Sequence, residues 1–211
     1  MATELLLRDG TRAQTWALLP SDREDVRRGY EHLSPESQRH RFLAPVPHLT
    51  DTMLDHLVDE VDGIDHVALV LFVIDDEGTG TPAGIARMIR YDENPTAADL
   101  AVTVSDEFQG RGVATTLLDE LLRERPLGVT RVVTTVAADN PASLAMLRRL
   151  GPAEVTHEGI NALGVTVELP PPGEHDHPPG LDGSSPLQAP PDEPDESPGT
   201  SDDRQPGWSM S

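Results

Sequence analysis

The sequence predicts a mixed α/β fold, a central β-sheet flanked by helices, on three observations. His66 to Ile74 is a nearly continuous apolar run, which suits a strand buried on both faces. Leu100 to Ser105 alternates, with Leu100, Val102 and Val104 facing one way and Asp99, Ala101, Thr103 and Ser105 the other. Directly after it, Ala114, Leu117, Leu118, Leu121 and Leu122 recur at helical spacing, opposite Asp119, Glu120, Arg123 and Glu124, until Pro126 ends the helix.

The remaining elements follow in chain order. Leu5 to Arg8 and Gln14 to Leu19, separated by Asp9-Gly10, read as a hairpin. Ser21-Asp22-Arg23-Glu24 has the form of a capping box opening a helix to about Leu33. Ser34 and Pro35 suit the cap and first turn of a second helix ending near Phe42. A third helix starts at Thr50 or Asp51 and runs to about Val61, with Met53, Leu54, Leu57 and Val58 on one face. After the strand at His66 come a loop at 75–80, a strand from Ala83 to Tyr91, and a turn around Asp92 to Pro95 that leads to the alternating strand. Val129 to Val136 is β-branched and reads as a strand. Asn140 then suits an N-cap, Pro141 the first helical position and Gly151 the C-terminal cap. Two short strands, Ala153 to Glu158 and Leu163 to Glu168, complete the sheet.

Composition divides the chain. Of the 211 residues, 1–169 carry the patterned elements, whereas 170–211 are dominated by Pro, Gly, Ser, Asp and Glu and hold too few large apolar residues to offset the entropy of ordering. The expectation is one folded domain, 1–169, and a disordered acidic tail, 170–211. His175-Asp176-His177 in that tail lacks further ligands at fixed spacing and reads as solvated, with no metal expected.

The formal charge is −21, and residues 170–211 hold nine acids and Arg204, or −8, which leaves −13 on the domain. Such a surface argues against nucleic acid and favours a cationic partner, although solubility alone accounts for acidity too. Every basic residue is arginine and there is no cysteine, which removes disulfides and thiolate chemistry. No apolar run reaches about 18 residues and Met1-Ala2-Thr3-Glu4 lacks a basic leader, so neither membrane insertion nor export is expected and the protein is assigned to the cytoplasm.

The turn Gln109-Gly110-Arg111-Gly112-Val113-Ala114 joins strand to helix, where free backbone N–H groups bind phosphate. A Walker loop needs a lysine, which the chain lacks, and a dinucleotide fingerprint needs a glycine where Thr115 stands. The remaining pattern, Gln-x-x-Gly-x-Ala, resembles the acyl-CoA pyrophosphate loop of the GNAT superfamily of N-acyltransferases. The stretch from Asp139-Asn140-Pro141 to Gly151 resembles the superfamily's second motif, and the element order resembles its fold over about residues 3–169. Leu33-Ser34-Pro35-Glu36-Ser37 followed by Arg41-Phe42 looks like the lead-in segment of bacterial protein-lysine acetyltransferase domains.

The resemblance implies acetyl-CoA as co-substrate and an amine acceptor, a protein lysine or a small molecule, attacking the thioester directly. It assigns Val102 and Val104 to backbone bonds with pantetheine, Gln109, Gly110, Arg111, Gly112, Val113 and Ala114 to the pyrophosphate, and Asn140 and Ser143 to the pantetheine arm or reacting group. The plainer reading of Asn140 is a helix cap alone, and of Arg111 a solvated loop side chain. Deprotonating a lysine at pH 7 costs about 4.6 kcal/mol, so a base is needed. Asp99 stands where the lysine-acetylating relatives carry glutamate and is the candidate base, with Glu107 and Asp139 as weaker substitutes. Many superfamily members carry a tyrosine acid at the position of Leu147, so that route is closed here. The alternative is a non-catalytic acyl-CoA sensor or interaction module on the same fold.

Overall fold

The computed structural model describes residues 3–171. The expectations for the acidic tail and for His175-Asp176-His177 therefore lie outside the described residues. The elements are β1 (Thr3–Leu6), β2 (Arg12–Ala17), α1 (Arg23–Glu31), α2 (Pro35–Phe42), α3 (Asp51–Leu54), β3 (His66–Ile74), β4 (Gly80–Tyr91), β5 (Asn94–Val104), α4 (Val113–Arg123), β6 (Arg131–Ala137), α5 (Pro141–Arg148), β7 (Ala153–His157) and β8 (Ala162–Glu168). The strands form one sheet in the order β1-β2-β3-β4-β5-β6-β8-β7. Every pairing is antiparallel except that of β5 with β6. The last two strands thus exchange places, β8 lying beside β6 and β7 at the outer edge.

Each face of the sheet carries its own apolar cluster. On one, Val113, Leu117, Leu118, Leu121 and Leu122 of α4 join Leu69, Leu71, Ala86, Met88 and Leu100 of the sheet, together with Leu147 of α5. On the other, Tyr30 and Leu33 from α1 and its end, with Leu54 and Val58, cover Ala68 and Val70. The 69/71 against 68/70 split is the period-2 alternation of a strand with two covered faces. Full burial of a leucine such as Leu117 or Leu121 contributes about 1.5–3 kcal/mol. Arg23 ties α1 to the segment after α3 through Asp55 (2.8 Å) and Asp59.

Several local expectations are corrected. Ser21 does not cap α1: a 3-10 turn, Pro20–Asp22, precedes the helix, and Asp22 accepts the Leu19 N–H at 2.9 Å. The third helix breaks after one turn into a π turn, Asp55–Asp59. The β4–β5 hairpin is tighter than expected, with Tyr91 paired to Asn94, so the turn is confined to Asp92 and Glu93. Gly151 is not a left-handed cap. Its role is close approach, because a Cβ there would overlap the Glu168 carbonyl oxygen at 2.0 Å. The caps at Ser34, Thr50 and Asn140 are as expected, each side chain accepting the N–H three residues on.

Gly84 sets the distance between α4 and the sheet. A Cβ at this position would meet Thr103 O at 2.9 Å, Val113 Cγ1 at 3.0 Å and Leu117 Cδ1 at 3.1 Å. Gly84→Ala is expected to destabilise the domain by about 1–3 kcal/mol in urea unfolding. Gly29→Ala, where a Cβ on α1 meets nothing within 4 Å, should be neutral or stabilising by up to about 1 kcal/mol.

Candidate functional site: a cleft between diverging strands

The parallel pairing of β5 with β6 covers only Ala97 with Arg131 and Ala98 with Val132. Beyond that point the strands part, and a cavity of about 480 Å³ opens between them. It is lined by Asp99, Leu100, Ala101 and Val102 of β5, by Val133 to Val136 of β6, and by Asn140, Ser143 and Leu147 of α5, with Arg41 and Tyr91 also on its wall. Near its floor, Thr134 Oγ1 donates to Leu100 O at 3.2 Å. That bond shows which edge of β5 faces the cleft: the peptide groups of Leu100, and by alternation those of Val102 and Val104, point toward β6. No β6 residue pairs with them.

The glycine turn sits at the end of this edge. Gly110 (φ +75°) and Gly112 (φ +96°) adopt left-handed backbone that side chains disfavour. Gly112 immediately precedes α4, and Thr116 is the first residue to bond back, to Gly112 O at 3.0 Å. The N–H groups of Val113, Ala114 and Thr115 consequently have no carbonyl partner within the helix and carry the positive end of its dipole. The side chains of the turn brace it. Gln109 Nε2 donates to Val104 O (3.3 Å), Asp106 Oδ1 (3.2 Å) and Ser37 Oγ (3.3 Å). Arg111 donates to Asp9 at 2.8 Å and to Thr11 at 2.7 Å, locking the turn to the β1–β2 loop. Thr11 and Arg111 together hold the Asp9 carboxyl well below the usual range.

The Ser34 to Ser37 segment has a clear local role. Ser34 N–H (2.7 Å), Ser34 Oγ (3.0 Å) and Ser37 Oγ (2.7 Å) all donate to the Asp106 carboxylate. Burial opposes ionisation of Asp106, but these bonds more than offset it and keep its pKa low. At the other end of α2, Arg39 donates to Asp139 at 2.8 Å and His40 lies 3.4 Å from it. Helix α2 is therefore fastened on one side to the glycine turn and on the other to the loop before α5. Asp139, held low by Arg39, is committed to that bridge rather than open for proton transfer.

Asp99 is half-buried on the cleft wall. Its carboxylate makes no hydrogen bond or ion pair with a described residue, but it lies within electrostatic reach of Arg41, Arg87 and Tyr91. Asn140 caps α5 through Ser143 N–H at 3.0 Å while also lining the cleft. Sequence patterning missed a buried cation nearby. Arg87, 4% exposed, donates at 2.9 Å to Leu57 O, which lies within the π turn, and approaches His66 Nε2 at 3.4 Å. Burial, then the Arg87 charge, pushes His66 down to about 4, so the ring is neutral at physiological pH. Tyr91, whose hydroxyl donates to Val133 O at 3.0 Å, and Glu158, which accepts from Thr135 Oγ1 at 2.9 Å, also line the cleft. No sequence motif marked either.

The signature of the acetyltransferase (GNAT) family matches residues 29–151, more than half of the chain. The chain is 33% identical over 155 residues to the acetyltransferase Pat of Mycolicibacterium smegmatis, a match covering 73% of this chain and 45% of that protein. It thus spans less than half of that relative. An acetyltransferase of Pseudomonas aeruginosa is 30% identical over 146 residues, covering 69% of this chain and 77% of its own. Among solved structures, the GNAT domain of S. lividans PAT superposes with a TM-score of 0.69 at 25% identity, covering 80% of this chain and 97% of that domain.

The buried pair of His66 and Arg87 gives a pH signature. Because the folded His66 pKa, about 4, lies below its ordinary 6.5, the unfolded chain binds a proton in that window that the folded chain refuses. Stability should fall by roughly 2–3 kcal/mol as pH drops from 6.5 to 4. His66→Gln should flatten the slope of urea midpoint against pH across this range.

Proposed function

This chain belongs to the acetyltransferase (GNAT) family, and on that footing we propose that it transfers the acetyl group of acetyl-CoA to a primary amine. A protein lysine is the acceptor that the likeness to bacterial Pat domains suggests. The observation that carries the proposal is the unzipped edge of β5, which ends at the N-terminus of α4, whose first N–H groups have no partner within the helix. The diphosphate of acetyl-CoA binds the N–H groups of residues 110–115, and Gln109 and Arg111 serve chiefly to hold that turn in shape. Pantetheine takes the place of a missing β6 partner against the backbone of Val102 and Val104, which runs the thioester toward Asp99 and the floor of the cleft.

The acceptor nitrogen attacks the thioester carbon. The C–N bond forms, the carbonyl oxygen becomes an oxyanion stabilised by a cleft-facing β5 amide, and the C–S bond then breaks to release the thiolate. Before the attack Asp99, directly or through one water, takes a proton from the acceptor ammonium to leave the nucleophilic amine, and the second N–H proton, released as the amide forms, passes to solvent. Leu147 is 1% exposed and offers no acid. The thiolate, with a pKa near that of a free thiol, leaves without one.

Acetyl-CoA binding by calorimetry, followed by thioester cleavage with lysine peptides and small amines, tests the reading. Tight binding with no turnover on any acceptor would favour the non-catalytic sensor. Gly112→Asp should abolish binding, because the position needs φ near +96°, its Cβ would crowd Arg8 at 3.1 Å, and the new carboxylate repels the diphosphate. Unchanged affinity counts against the turn. Asp99→Asn should lower kcat by about 10²–10⁴-fold with acetyl-CoA affinity intact and should remove one limb of the pH–rate profile. An unaltered profile removes Asp99 as base.

A further inference from the structure

A second cavity, of about 340 Å³, lies beneath α1 and α2. Its walls are apolar and aromatic: Trp16 stacks on Phe72 with ring centroids 4.1 Å apart, Tyr30 meets Phe42 edge-on at 5.6 Å, and Ile85 of β4 adds to the wall. Arg41 and Phe42 line this cavity and the thioester cleft alike, so they stand where the two meet. Arg87 lines the second cavity as well.

The charges at this junction do not balance. Arg41 is half-buried, and its side chain makes no hydrogen bond or ion pair with any described residue; its guanidinium lies over the Phe42 ring, 4.8 Å from the centroid. Arg87 is bonded only to neutral groups, the Leu57 carbonyl and the His66 ring. Burial depresses both guanidinium groups, and the Arg41 charge depresses Arg87 further. Against these two cations the junction supplies one anion, Asp99. Of the other carboxylates of the second cavity, Asp25 pairs with Arg28 and Asp22 accepts the Leu19 N–H; neither is bonded to Arg41 or Arg87. An unpaired guanidinium facing a cavity is satisfied by a planar, bidentate anion, and a carboxylate fits it best.

Resting on the acetyltransferase reading, but with a small molecule rather than a protein lysine as the acceptor, we infer that the second cavity is an acceptor subsite for an α-amino acid with a large apolar side chain. The side chain fills the aromatic cavity, the carboxylate pairs with Arg41, and the α-amine enters the first cavity beside Asp99. A polyamine would place a cation against Arg41 and Arg87, and a bare lysine side chain would leave the guanidinium unpaired. The transfer is balanced as before: the α-ammonium gives a proton to Asp99, the resulting amine nitrogen gains the acetyl carbon, its second proton passes to solvent, and the thiolate of CoA departs.

The test measures binding of L-phenylalanine and of 2-phenylethylamine, the same body without the carboxylate, to the full chain in the presence of CoA. It then compares their acetylation by acetyl-CoA. L-phenylalanine is expected to bind about tenfold or more tightly, with the same preference in kcat/KM. Arg41→Gln should erase that ratio and Arg41→Lys should keep part of it, with circular dichroism unchanged. Equal binding of the two probes, or a preference that survives Arg41→Gln, overturns the subsite. If acetyl-CoA binds and only a lysine peptide is turned over, the subsite falls and the transferase stands. If L-phenylalanine binds through Arg41 while acetyl-CoA does not bind, the transferase reading falls and the subsite stands.

Discussion

The separation of β5 from β6 after Ala98 and Val132 governs the rest of the molecule. A continuous sheet would satisfy every backbone group along both strands, and here half of the β5 ladder is left without its neighbour. The gap is kept open by what surrounds it. Thr134 and Tyr91 each spend a hydroxyl on a carbonyl across it, α5 is capped at its rim by Asn140, and α2 spans it by way of Asp106 and Asp139. These bonds fix the width of the opening without closing it.

Helix α2 owes its position to polar fasteners. None of its residues is fully buried, and its own sequence is not amphipathic in the way that α4 is. It is held by the three donors on Asp106 at its start and by the Arg39 pair near its end. The exposed ion pair contributes on the order of 0–1 kcal/mol, so geometry rather than energy is its main contribution. Arg41 and Phe42, at the last turn, are thereby brought to the boundary between the two cavities.

Much of the fold was legible because it was written in periodicity. The apolar run at 66–74, the alternation at 99–104 and the helical stripe from Ala114 to Leu122 depend on local spacing, and each element stands within a residue or two of where that spacing puts its core. The glycine turn was legible as well, since positive φ at Gly110 and Gly112 restricts residue choice. What escaped was tertiary. The π turn at Asp55–Asp59 has no pattern of its own and is accompanied by a contact thirty residues away, from Arg87 to Leu57 O. Arg41 and Arg87 looked like two of sixteen arginines, and only folding places them opposite Asp99. Asp139, weighed as a base from its position, proved to be paired with a residue one hundred positions earlier.

Gly84 carries one more implication. Because Val113 and Leu117 rest directly on its backbone, the first turn of α4 is seated by core packing before any anion arrives. The amides ahead of it are consequently preorganised, and under the acyl-CoA proposal a phosphate group has little chain entropy to quench there. Recognition at that end of the groove should therefore behave as docking to a rigid surface, with the free and occupied backbones nearly superimposable.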